Sequence, residues 1–238
     1  METFLLIVGT LGMGLATAYF AYLGTQSTGG SYFYWITALI TGFAFISYLA
    51  MAVGAGSTIL DDGREFYFFR YIDWLVTTPL LLLDLALLAL ANPGRNTRLI
   101  AGLIGLDVVM ILTGLVAGSS TSAFVATIFF IISTAALVGV LYLLYTRLFT
   151  AARAQSPNVA GIFNTLAILT IVLWSLYPVV WLLGTEGFRA IGQGGEIFLF
   201  LVLDLLSKVG FGFLLLSNRQ AIVEVSGGGR SARPSRVS

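Results

Sequence analysis

Seven apolar stretches, each long enough to cross a lipid bilayer, occupy most of this 238-residue chain. A membrane-spanning helix needs about 20 predominantly apolar residues. The stretches run roughly over 3–24, 32–55, 68–91, 97–117, 123–146, 159–183 and 194–217. In lipid, every backbone N–H and C=O must find a partner within the protein, so only helices and closed barrels span. Continuous apolar runs of this length select helices. The expected fold is an all-α membrane protein, a seven-transmembrane-helix bundle over residues 1–225. Breakers and polar residues place the connections at Gly24–Ser31, Ser57–Glu65, Asn92–Asn96, Gly118–Ser122, Arg147–Asn158 and Gly184–Gly195. The first run has no basic segment or small-residue cleavage site before it and reads as a helix, not a signal peptide. Residues 226–238 read as a disordered cytoplasmic tail, too polar to pack.

Composition narrows the chemistry. Charged residues make up 10% of the chain, against about a quarter in soluble domains. With no cysteine and no histidine, disulfides and thiolate metal sites are excluded, the commonest general base is missing, and no metal is expected. The net charge of +1 and the lack of a basic run give no footprint for nucleic acid. Arginines set the orientation. Arg95, Arg98, Arg147, Arg153, Arg219, Arg230, Arg233 and Arg236 fall on one side of a seven-span layout, and only Arg64 and Arg189 on the other. That bias places the C-terminus in the cytoplasm and the N-terminus outside, as a multi-pass protein of the cell membrane.

The only lysine, Lys208, lies deep in the seventh run. Ionisable groups at membrane depth are rare and usually functional. A desolvated amine can condense with an aldehyde to form a Schiff base, which a guanidinium cannot do. The blander alternative is a lysine that snorkels or pairs with Asp204, one turn earlier on the same face. Snorkelling is hindered by the mostly apolar residues between Lys208 and Ser217.

The third span carries Arg70, Asp73, Thr77 and Asp84. Asp73 and Thr77 share a face, and Asp84 returns to nearly that face about 16 Å further along the axis. Asp84 sits among aliphatic residues, which disfavour its charged form, whereas cationic neighbours can keep Asp73 ionised. Two carboxyls so separated suit a directed proton relay, or they are interior hydrogen-bonding groups of the bundle. A protonated Schiff base on Lys208 would need counter-charges; Asp204 and Asp73 can supply them, with Arg70 balancing the excess. Near the outer end, Glu186 and Glu196 either share and release a proton or are solvated loop acids. Trp174, Tyr177 and Trp181 share one side of the sixth span, and Trp74 adjoins Asp73. Such rings fill cores, or wall a slot for a flat conjugated ligand.

Three segments resemble the microbial rhodopsins, specifically the haloarchaeal bacteriorhodopsin group: Arg70 to Asp84 (RYIDWLVTTPLLLLD), Trp174 to Gly187 (WSLYPVVWLLGTEG) and Asp204 to Gly212 (DLLSKVGFG). The likeness covers nearly the whole chain. It implies all-trans retinal bound covalently to Lys208 as a protonated Schiff base. Asp73 is then counterion and proton acceptor, Asp84 the cytoplasmic proton donor, Asp204 the second counterion, and Thr77 the hydroxyl between acceptor and donor. Glu186 and Glu196 resemble the release pair, Arg70 and Tyr48 the groups that gate release, and Thr37 the hydroxyl partner of the donor. Trp74, Thr78, Met110, Gly114, Phe130, Ser133, Thr134, Trp174, Tyr177, Trp181 and Ser207 match the retinal pocket, and Asp107 the acid that bridges to Thr78.

Three features depart from the group or weigh on its role. Phe129 and Phe130 replace the usual tryptophans. Ser207 replaces the usual alanine and resembles the threonine of sensory members, which pairs with the tyrosine matching Tyr177. Asp84 points the other way, because sensory members typically carry an apolar residue there.

The resemblance implies a light-driven outward proton pump, which moves ions and is not an enzyme. Its partners are protons and membrane lipid, and a homotrimer is allowed. One rival is a photosensory rhodopsin signalling to a membrane transducer. Another is a transporter whose Lys208–Asp204 pair binds substrate.

Overall fold

The computed structural model describes residues 1–227. Seven long helices form the bundle: α1 (Glu2–Thr25), α2 (Ser31–Ala52), α3 (Phe68–Ala89), α4 (Thr97–Ser119), α5 (Ala123–Arg153), α6 (Pro157–Leu183) and α7 (Gln193–Ser217). Sequence neighbours pack against one another, and α7 closes the ring on α1. The apolar runs therefore act as antiparallel spans joined by short loops.

The helices divide the work unequally. In its most apolar window α3 is 61% buried and α7 56%, whereas α4 is 22% and α5 17% buried. Spans α3, with Asp73 and Asp84, and α7, with Glu196, Asp204 and Lys208, thus form most of the interior, whereas α4, whose one acid is the buried Asp107, and α5 turn most of their surface to lipid. Pro79 sits inside α3 and Pro178 inside α6 without ending either helix, as membrane bundles tolerate. Gly212 is required by packing: a Cβ there would lie 2.6 Å from Thr37 Cγ2 and 2.7 Å from Phe20 Cε2. Its absence lets α7 settle against α1 and α2.

Four local features depart from the sequence expectation. Helix α2 stops at Ala52, short of 55, and part of the expected 57–65 loop is a two-stranded hairpin, β1 (Thr58–Ile59) pairing antiparallel with β2 (Glu65–Phe66). Helix α5 does not end near 146. It passes through a π-helical turn at Leu144–Leu148 and continues to Arg153. Leu144, Leu148, Phe149 and Ala152 are buried, so an apolar helical face carries on into what polar residues alone marked as a connection. A second π-helical turn, Leu205–Gly210, lies in α7 around Lys208. Such turns recur at functional sites. Finally, α8 (Arg219–Gly227) follows α7. Ala221 and Ile222 anchor it in the core, and its Glu224 carboxylate accepts hydrogen bonds from Ser156 and Asn158 at the start of α6. Ser226 and Gly227, the first residues of the expected polar tail, close α8, and residues 228–238 of that tail lie outside the described residues.

Candidate functional site: a buried lysine between two aspartates

Lys208 does not snorkel. It is 1% exposed, and its Nζ donates to Asp73 Oδ2 and to Asp204 Oδ1, each at 2.7 Å. One cation thus faces two carboxylates, all three almost without exposed surface.

The two aspartates are held differently. Asp204 also accepts from Tyr48 Oη on Oδ2 at 2.8 Å, and from Tyr177 Oη at 2.9 Å and Trp74 Nε1 at 3.3 Å on Oδ1. Three neutral donors from α2, α6 and α3 therefore support its charge independently of the lysine. Among the described residues the Asp73 carboxyl has Lys208 alone, and its Oδ1 is buried without a hydrogen-bond partner. The Thr77 hydroxyl does not reach either carboxyl; it donates to the Asp73 carbonyl oxygen at 2.8 Å.

Arg70 does not balance the two aspartates directly, as its position in the sequence suggested. Its Nη1 pairs with Glu196 Oε1 at 2.9 Å, and its guanidinium lies 4.3 Å from the Phe200 ring centroid. Charge balance explains this: Glu196 is itself buried at 3% exposure and needs a cation close by. Its other oxygen, Oε2, accepts from the backbone N–H of Thr185 at 2.7 Å and from the Thr185 hydroxyl at 2.8 Å. Gly184 makes this approach possible, since a Cβ there would sit 2.6 Å from Glu196 Oε2. Glu186 accepts from Tyr71 Oη at 3.2 Å, and Trp181 Nε1 donates to the same phenol at 3.0 Å. Burial first, and the neighbouring Glu196 second, push the Glu186 carboxyl up to about 7. Glu196 is buried and Glu186 half-buried, so the two are not ordinary solvated loop acids.

Asp84 stands apart. It is fully buried, and among the described residues its one hydrogen-bond partner is Thr37, whose hydroxyl lies 3.4 Å from Oδ2 and also donates to the Phe33 carbonyl at 2.8 Å. Asp107 bridges α4 to α3 through Thr78 Oγ1 at 2.8 Å.

Beside Lys208 opens a cavity with about 730 Å³ free of protein atoms, counting the part open at its rim. Trp74, Thr78, Met110, Gly114, Phe130, Ser133, Thr134, Trp174, Tyr177, Trp181 and Ser207 all line it. Phe130 stacks on Trp181 with ring centroids 4.6 Å apart, so the phenylalanine takes up a flat wall position. Ser207 Oγ lies 3.0 Å from Tyr177 Oη. Tyr71, Leu81, Ile111, Leu137 and Pro178 also contribute to the wall, though the sequence alone did not single them out. Leu81 continues the Trp74, Thr78 stripe at helical spacing and Leu137 follows Ser133 by one turn, so periodicity held that signal. A long, aromatic-walled, mostly apolar slot ending at a buried amine fits a conjugated aldehyde attached by condensation.

Residues 1–222 match the family model described as bacteriorhodopsin-like protein. This chain belongs to the bacteriorhodopsin-like family. It is 46% identical over 223 residues to archaerhodopsin-3 of Halorubrum sodomense, spanning 92% of this chain and 85% of that protein. To the bacteriorhodopsin of a Haloterrigena species it is 48% identical over 231 residues, spanning 94% and 91%. Among solved structures, the thermophilic rhodopsin from Rubrobacter xylanophilus superposes with a TM-score of 0.94 at 62% identity, covering 95% of this chain and all of that one. A cyanorhodopsin from a Calothrix cyanobacterium superposes with a TM-score of 0.89 at 36% identity, covering 95% and 98%. As a member of this rhodopsin family the chain is a multi-pass membrane protein, and its cofactor is retinal held covalently through a lysine.

Proposed function

We propose that this protein is a light-driven outward proton pump of a cell membrane, with its N-terminus outside and its C-terminus in the cytoplasm. Lys208 is the covalent anchor in this reading, as the only lysine of the chain and the amine at the cavity. Retinal joined to its nitrogen supplies light absorption and an isomerisation that re-aims the N–H. The protein's own side chains do the rest.

Asp73 accepts the proton from the Lys208 nitrogen. The asymmetry of the two aspartates supports this choice: Asp204 keeps three neutral donors once the cation is gone, while Asp73 keeps none and gains most by taking the proton. Outward from there, Arg70 links the level of Asp73 to Glu196, and Glu186 lies beyond Tyr71. These two glutamates hold and release the proton that leaves. A carboxyl titrating at about 7 can hold a proton near neutrality and give it up when the field around it changes. Asp84 then returns a proton to the Lys208 nitrogen from the opposite side and is refilled from the cytoplasm. The eight-to-two arginine bias supports the orientation.

The observation that carries the reading is Asp84, a carboxyl with no exposed surface and one hydroxyl neighbour, on the same stripe of α3 as Asp73. Burying such a group is costly, and bundle packing alone gives no return for it. Illuminated cells or right-side-out vesicles should acidify their medium, and a protonophore should abolish the change. A coloured protein with a slow photocycle and no light-driven pH change would favour the sensory alternative, for which the Ser207–Tyr177 contact at 3.0 Å is the supporting feature.

A further inference from the structure

Arg64 stands at the outer mouth and takes no part in the proton path described above. It follows the hairpin turn at Gly63, where φ is 80°, and leads into β2. Although it belongs to a surface hairpin, its side chain is only 8% exposed. Nη2 donates to the carbonyl oxygens of Gly118 at 2.8 Å and Ser120 at 3.4 Å, at the C-terminal end of α4. Unpaired carbonyls at a helix C-terminus favour a cation. Nε and Nη1 are buried without a hydrogen-bond partner, and Asp62 Oδ2 lies 3.7 Å from Nε.

Glu186 converges on the same glycine. A Cβ at Gly118 would lie 3.1 Å from Glu186 Oε1 and 2.5 Å from Tyr71 Oη, so the missing side chain lets both groups approach α4 closely. The other oxygen, Oε2, is buried without a hydrogen-bond partner. The charged and titratable groups around Glu186 are Arg70 and Tyr71 of α3, Glu196 of α7 and Arg64 of the hairpin; Trp181 of α6 reaches it through Tyr71. Arg70 is engaged by Glu196. Among the described residues Arg64 pairs only with the more exposed Asp62, which it shares with Arg189 at 2.8 Å.

We propose that Arg64 is a positioning residue of the outer carboxyl pair: hung from the end of α4, its guanidinium faces Glu186 and sets how firmly that carboxyl holds its proton. The proposal rests on reading Glu186 and Glu196 as the release pair. Its sign follows from the surroundings. Burial and Glu196 push Glu186 up, while Arg70, Arg64 and the Tyr71 hydrogen bond pull it down. Removing Arg64 should therefore raise it further.

The test uses the full-length pigment with a pH-indicator dye, recording the prompt proton released after a flash as a function of pH. That release fades as pH rises through the Glu186 titration, because the site is then empty before the flash. In Arg64→Gln the midpoint should move to higher pH by about half a unit to one unit. In Arg64→Lys, which keeps the charge and loses the fork on α4, it should stay close to wild type. Asp62→Asn leaves the guanidinium and removes its counter-charge, so it should move the midpoint down; it also provides a reading if Arg64→Gln fails to form pigment. An unchanged midpoint in Arg64→Gln, equal shifts in the Gln and Lys variants, or an unchanged or raised midpoint in Asp62→Asn would overturn the assignment. Glu186→Gln separates the two levels. Prompt release lost there with no shift in the Arg64 variants sinks Arg64 alone, whereas prompt release surviving there sinks the release pair and Arg64 together.

Discussion

The two halves of the bundle on either side of Lys208 are built from opposite materials. Outward, Asp204, Tyr48, Arg70, Glu196, Thr185, Tyr71 and Glu186 form closely spaced hydrogen-bonded groups, with the buried Glu196 and the half-buried Glu186 beyond the aspartates. Inward, the run from Pro79 to Ala89 is aliphatic except for Asp84, and Thr37 is that acid's one partner. In the proposed pump, a proton leaving the level of Asp73 outward meets polar groups already in place. On the same reading, a proton arriving from the cytoplasm has to cross an aliphatic layer to reach a carboxyl with no exposed surface. In the proposed pump, direction follows from this difference: the outward side already offers hydrogen-bonding groups, and the inward side has to open before a proton can reach Asp84.

Substitutions can break or sharpen this contrast. The largest effect is expected for Asp73→Asn, which leaves the outer chain without its first acceptor; light-driven pH change measured in vesicles should fall by about 100-fold or more. Asp84→Asn should spare the early outward step and slow return of the proton to the Lys208 nitrogen by about 10- to 100-fold in flash photolysis. The proton must then come from bulk water, so recovery in this variant should slow about tenfold for each unit rise in pH. Recovery unchanged across pH would erase the inner half's assigned role. Thr37→Val removes the one hydroxyl that supports the Asp84 carboxylate left after donation, and the same recovery step should slow by about 3- to 10-fold. The smallest effect concerns the outer half alone. Glu186 is pushed up to about 7, so the prompt proton should be present below that pH and fall to about half its amplitude as pH rises through it.

Much of this contrast was legible in the amino-acid order. Span length and loop breakers marked all seven helices, because lipid leaves few choices of structure. Helical spacing put Asp73 and Asp84 on one stripe and Asp204 one turn from Lys208, and resemblance named the residues that turn out to surround one cavity. What remained hidden depended on packing between distant segments. The partner of Arg70 could not be read from α3, since Glu196 is 126 positions away. The three donors to Asp204 arrive from three different helices. The π-helical turn at Lys208 and the hairpin carrying Arg64 leave no periodic trace in a single sequence. Helix α5 outran its expected end because Leu148, Phe149 and Ala152 keep an inward face that polar neighbours masked.

One recording tests outward pumping most directly: flash photolysis of the retinal-loaded protein in right-side-out vesicles, with pH followed in both compartments. The expected result is a proton appearing outside first, followed by uptake from the inside whose time course matches recovery of the pigment and slows in Asp84→Asn. Proton uptake and release confined to one side, or a full photocycle with no pH change on either side, would contradict it.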